Sequence, residues 1–228
     1  MAEREAVPDE PPAEDPPEAP PGLKALPRVS EEDVPAGHHP LETSWTLWVD
    51  KKSTGDRRAP TAYMEGLRHV GTFNSVEGFL QLWACLKRPS SFPRDHSLLC
   101  FRTGMSPMWE EFPDGGCWNY RMRRSSETDV LPDMAWESML IGCIGEAFAT
   151  PDVVGCVLSS RLKEIAISIW NNSNSADPQA RFKIGERARE VMKLGGNALM
   201  EYKDFQSSIK DYSTYRNAQA YIMRGDGS

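Results

Sequence analysis

The sequence predicts an α+β protein in which one antiparallel sheet carries about three helices on one face. Three observations predict it. Strand-like segments outnumber helical ones. Most connections between them are too short for the crossovers that a parallel sheet needs. Two of the three helical segments carry an apolar stripe of the kind that covers a sheet. Residues 37–228 form this folded unit, and residues 1–36 precede it as a tail.

The tail is expected to be disordered. It holds ten acidic residues against Arg4, Lys24 and Arg28, nine of the 18 prolines and no aromatic residue. Such a segment cannot bury enough apolar surface to offset its chain entropy. A polyproline II segment for a partner is the alternative. In the folded unit, Ser44–Lys51 alternates as a strand with Trp45, Leu47 and Val49 on one face. Asn74–Arg88 is a helix, with Asn74 and Glu77 as a capping box and Pro89 as its stop. Leu131–Phe148 is a second helix, with Trp136, Leu140, Ile144 and Ala147 on one stripe. Asp177–Lys193 is a third, capped by Asp177, opened by Pro178 and closed by Gly195 and Gly196. The remaining strands are Met64–Val70, Ser97–Arg102, Cys117–Arg123, Val153–Ser160, Glu164–Asn171, Ala198–Lys203 and Tyr215–Ile222. Gly115-Gly116 is expected to close a hairpin.

Charge and cysteine usage narrow the function. The net charge of -7 comes entirely from the tail, so the folded unit is neutral and any basic patch on it is local. A small ligand with a few phosphates suits that balance better than a long duplex, which demands a broadly basic face. Five dispersed cysteines without a C-x-x-C pair are expected as reduced thiols, mostly buried. The acidic, proline-rich start is unlike a signal peptide, and no stretch is long and apolar enough for a membrane span, so cytoplasm or nucleus is expected. No catalytic signature is present, and the four histidines have no ligand spacing, so neither turnover nor a metal is expected.

Tryptophan usage is the informative anomaly. Trp109 lies in SPMWEEFPDGGCW, a loop punctuated by proline and glycine, and Glu110 follows it directly. An aromatic face beside a carboxylate is what guanine recognition needs: the ring stacks, and the carboxylate accepts from N1–H and the N2 amine. Methylation at N7 would add a cation–π contribution. On pattern alone, core packing or loop anchoring stays the ordinary alternative. Trp45, Trp48, Trp118 and Trp136 are expected in the core.

The strings HPLETSWTLW, VGTFNSVEGF, GMSPMWEE, WESMLIGCIGE, SSRLKEIAISIW and MEYKDFQSSIKD, in this order, resemble the eukaryotic translation initiation factor 4E family. The match runs from about His39 to Met223. The resemblance implies a curved eight-stranded antiparallel sheet backed by three helices, binding the 7-methylguanosine cap of mRNA on its concave side. It also implies roles for single residues. Trp109 matches a stacking tryptophan, Glu110 the guanine-reading carboxylate and Trp170 the tryptophan at the N7 methyl. Arg161, Lys163 and Lys210 match phosphate-side positions. Tyr63, counted back from LRHVGTF, falls at the first stacking position. His39, Pro40, Leu41, Val76, Leu80 and Glu137 fall on the groove that takes a partner helix of the Tyr-x-x-x-x-Leu type. No cofactor and no membrane is implied, and a monomer is expected.

Departures from the family pattern resemble its class II branch, whose members bind caps more weakly and act largely as repressors. Tyr63 stands where tryptophan is usual, after the longer loop KKSTGDRRAPTAY. Cys117 and Ala166 stand where the family commonly has cations, and Leu80 stands where the groove tryptophan would be. The alternatives are an ordinary initiation factor that recruits a scaffold protein, and an interaction scaffold with weak or lost cap binding.

Overall fold

Alternation of apolar and polar residues builds the sheet, and the computed structural model, which describes residues 27–52, 60–124, 130–173 and 178–225, shows which face each residue takes. The strands are β1 (Pro40–Lys51), β2 (Leu67–Ser75), β3 (His96–Arg102), β4 (Gly116–Arg123), β5 (Val153–Ser160), β6 (Glu164–Asn171), β7 (Ala198–Asp204) and β8 (Gln219–Met223). They form one eight-stranded sheet in the order β2-β1-β3-β5-β6-β4-β7-β8. Every pairing is antiparallel. Register shifts in β1 and β5 help the sheet to curve.

The helices are α1 (Pro60–Gly66), α2 (Val76–Ala84), α3 (Leu131–Ile144), α4 (Pro178–Val191) and α5 (Phe205–Asp211). The period of two sends Leu98 and Cys100 to one face of β3 and Leu99 and Phe101 to the other. On the first face, Trp45, Leu47 and Val49 pack with Phe79 of α2, Trp136, Met139 and Leu140 of α3, and Ile184 and Ala188 of α4. These are the three expected backing helices. On the second face Leu99, Phe101, Cys117, Val157 and Trp170 gather under Phe112 and Phe205. Among the described residues that face is covered only in part, by α1, α5 and the turn before β4. None of the described helices is long and apolar enough to cross a membrane.

Several boundaries differ from expectation, each for a local reason. The cap of α2 is Ser75, whose hydroxyl accepts from Gly78 N–H at 3.1 Å. Asn74 instead donates to the Asp33 carbonyl, and Glu77 is taken by His39. The helix stops at Ala84, short of Arg88, which is extended because it precedes Pro89. The next helix, α3, stops at Ile144, not at Phe148, because the chain turns left-handed at Glu146, whose carboxylate is gripped by Arg102 at 2.6 and 2.5 Å. Ala147 accordingly falls outside the stripe. In α4 the helix opens at Pro178 as expected, while its expected cap, Asp177, lies outside the described residues. The short helices α1 and α5 were not anticipated, and α1 takes Met64 away from the strand expected there. Gly115-Gly116 closes no hairpin, since β3 and β4 are not neighbours. A Cβ on Gly115 would meet the Asn171 carbonyl at 2.2 Å, so the pair serves close approach. Residues 27–36, expected within the tail, touch the sheet through Val29 N–H on the Glu42 carbonyl and then form a 3-10 turn, Glu31–Asp33.

Candidate functional site

The partly covered face of the sheet holds a cavity of about 910 Å³. Its floor is aromatic and is set by cross-strand pairing. Trp170 on β6 lies 5.1 Å from Phe101, edge to face, and 4.4 Å from Phe205. Only 5% of Trp170 is exposed, and its indole nitrogen has no hydrogen-bond partner among the described residues. It is a wall element with little free face. Trp109 and Glu110 sit in a single 3-10 turn, Trp109–Glu111. Phe112 anchors that turn: its N–H donates to the Trp109 carbonyl at 3.1 Å and its ring is buried beneath. With the anchor inside, Trp109 is left half-exposed and Glu110 exposed at the cavity. Tyr63, on α1, reaches the same cavity. Residues 53–59 of the loop before it lie outside the described residues.

The polar side of the cavity carries Arg161, Lys210 and Arg216, with Asp50 and Asp211 as carboxylates. Arg161 is oriented by three neutral acceptors, the carbonyls of His96 and Ser160 and the Ser97 hydroxyl, all at 3.1 Å, so its charge stays uncompensated by them. The carboxylate of Asp211 is engaged by Lys203, which holds it at 2.7 and 2.6 Å. Cys117 is fully buried in the floor, and burial pushes its thiol up to about 12, so it is neutral. Among the described residues no cluster of His, Cys, Asp or Glu could hold a metal ion.

Six of the seven residues expected here, Tyr63, Trp109, Glu110, Trp170, Arg161 and Lys210, line this one cavity. Lys163 does not. It lies exposed in the turn between β5 and β6 and is not among the residues that line the cavity. Trp48, expected in the core, is half-buried on the cavity face and packs edge-on against His69 at 5.1 Å. Sequence reasoning missed Arg216, Tyr215 and the buried Lys203. The last had one available signal: a lysine at a strand position followed, eight residues on, by an aspartate.

The residues expected to take a partner helix lie elsewhere, on and around α2 and α3. Val76 and Leu80 of α2 are 40% and 52% exposed, and Met134 and Ile141 of α3 are exposed as well. His39 and Pro40 are exposed and Glu137 is half-buried. The His39 ring and backbone N–H both bond Glu77, holding its carboxyl down at about 2. Leu41 departs from expectation: it belongs to the core and offers little surface to a partner.

Residues 40–220 match the family described as eukaryotic initiation factor 4E. Among relatives, the eukaryotic translation initiation factor NCBP of Triticum aestivum is 32% identical over 188 residues, covering 81% of this chain and 78% of its own. The eukaryotic translation initiation factor 4E-4 of Caenorhabditis elegans is 33% identical over 207 residues, covering 89% and 94%. Among solved structures, Ascaris suum eIF4E-3 in complex with an m2,2,7G cap superposes with a TM-score of 0.66 at 24% identity, covering 82% of this chain and 98% of that one. The complex of C. elegans eIF4E-3 with the 4E-binding protein Mextli and a cap analog gives a TM-score of 0.64 at 24% identity, covering 75% and 95%.

Proposed function

This chain belongs to the eukaryotic initiation factor 4E family, and from that premise we propose that it binds the 7-methylguanosine 5′ cap of mRNA in the cavity described above. The observation that carries the proposal is the placement of Trp109 and Glu110 in one turn at a cavity that Tyr63 enters from another element. Stacking contributes roughly 1–3 kcal/mol per aromatic face. A positively charged base adds about 2 kcal/mol when desolvated. Each charge-assisted bond to Glu110 contributes roughly 1.5–3 kcal/mol. Association costs at least about 4 kcal/mol, which leaves an affinity of micromolar order. In this reading the protein binds and releases its ligand without turnover.

The finer reading is a class II-like factor that represses, or selectively translates, capped mRNA in the cytoplasm. Tyr63 in place of tryptophan and the missing cations at Cys117 and Ala166 favour weak cap binding. Leu80 in place of the groove tryptophan favours a helix-bearing repressor over a ribosome-recruiting scaffold. Tryptophan fluorescence titrated with 7-methyl-GTP and with GTP tests the central claim. Wild type is expected to prefer the methylated nucleotide at least tenfold, in the order-of-magnitude sense of about 1.4 kcal/mol, and Trp109→Ala to lose that preference. Equal responses of wild type to both nucleotides would sink the claim.

A further inference from the structure

The two cation positions that this chain lacks are both sealed by its own residues. Cys117 and Ala166 are at most 1% exposed. Ala166 stands between Arg121 on β4 and Ser159 on β5, its direct cross-strand partners. The Tyr215 ring lies 5.3 Å from the Arg121 guanidinium, and Tyr215 is hydrogen-bonded to Ser159. Tyr215 is thus tied to both residues that flank Ala166.

The segment that carries Tyr215 is also held from below. Lys203 is 2% exposed and faces Cys117 directly across the β4–β7 pairing. Its ammonium bonds both Asp211 carboxylate oxygens at 2.7 and 2.6 Å, the Ser213 carbonyl at 2.7 Å and the Arg216 carbonyl at 2.5 Å. An ammonium has three donors, so these partners consume all of them, and Lys203 has none left for a ligand. Its effect is to fix the backbone from Asp211 to Arg216. Arg216 is exposed and lines the cavity. Among the described residues it forms no ion pair, whereas Arg121 is committed to Glu164 and Glu201.

We propose that Arg216 binds the phosphates of the cap, set in place by Lys203 and Tyr215, and so supplies from the C-terminal segment a cation that positions 117 and 166 lack. The proposal rests on the cap-binding reading and adds to it a residue with a defined anchor. Arg216 is a ligand-contacting residue, and Lys203 is a positioning residue that acts through it.

The test compares 7-methylguanosine, which has no phosphate, with 7-methyl-GTP, at several salt concentrations, by tryptophan fluorescence. Arg216→Gln is expected to weaken 7-methyl-GTP about tenfold, leave the nucleoside unchanged and flatten the salt dependence. Lys203→Met retains the Arg216 charge, so a loss confined to 7-methyl-GTP marks it as positioning. Asp211→Asn, which leaves Lys203 its two carbonyl acceptors, replaces it if Lys203→Met does not fold. Wild-type binding with 7-methyl-GTP affinity unchanged in Arg216→Gln overturns the proposal, as does an equal loss for the nucleoside. A wild type that does not distinguish 7-methyl-GTP from GTP overturns the cap reading itself.

Discussion

Trp109 and Tyr63 line the same cavity but are held differently. Trp109 belongs to a turn fastened by the buried Phe112 ring, so its position follows from packing. Tyr63 sits on the seven-residue helix α1 and packs against the aromatic cluster. If Tyr63 stacks, a larger ring there should bind better. Tyr63→Trp is expected to tighten 7-methyl-GTP about threefold in a fluorescence titration, through added stacking area. An unchanged or lower affinity would show that this side chain is not a stacking face. At this scale the sequence was legible where chemistry is concentrated in neighbours, as at Trp109 and Glu110. It was not legible for Trp48, where alternation alone does not say which face of a strand meets the helices. Nor was it legible for Lys203, since a mid-strand lysine ordinarily faces solvent and only the returning segment at Asp211–Arg216 buries it.

At the scale of elements, α2 shows how one short helix serves two faces. Phe79 goes into the core and Leu80, the next residue, is half-exposed on the surface. Leucine there contributes apolar contact but lacks the indole N–H and much of its area. Leu80→Trp is expected to tighten a Tyr-x-x-x-x-Leu peptide about tenfold, measured by fluorescence anisotropy, with 7-methyl-GTP affinity unchanged. No gain in peptide affinity would place the partner elsewhere. The longer helices were readable from an apolar stripe, as in α2 and α3, or from signals at both ends, as in α4. The seven-residue helices α1 and α5 were not, since two turns cannot display a period and their stability comes from docking. For α5 the cap itself is local, Asp204 accepting from Ser207 N–H at 2.8 Å.

For the whole molecule, the joint between sheet and helices runs through Arg102. Its guanidinium, 3% exposed, bonds Thr43 of β1, the Val153 carbonyl of β5 and both oxygens of Glu146 beyond α3. Removing one member of such a buried pair leaves the other without its partner, at a cost of about 3–5 kcal/mol. Arg102→Met is therefore expected to lower the urea midpoint with little change in slope, and Arg102→Lys to rescue it poorly, because lysine lacks the planar fork. A midpoint within error of wild type would show that the joint is dispensable. The sequence by itself determined the class of fold, the alternation of the strands, the three backing helices, the local Trp109–Glu110 pair and the family. Those features are written in neighbours or in short periods, and they depend on no distant contact. Only the tertiary structure decided that Lys163 stays outside the cavity, that Leu41 joins the core, and that Arg216 is brought to the cavity. Each of these depends on which segments meet across the sheet, and that is set by long-range pairing and burial, which no local pattern encodes.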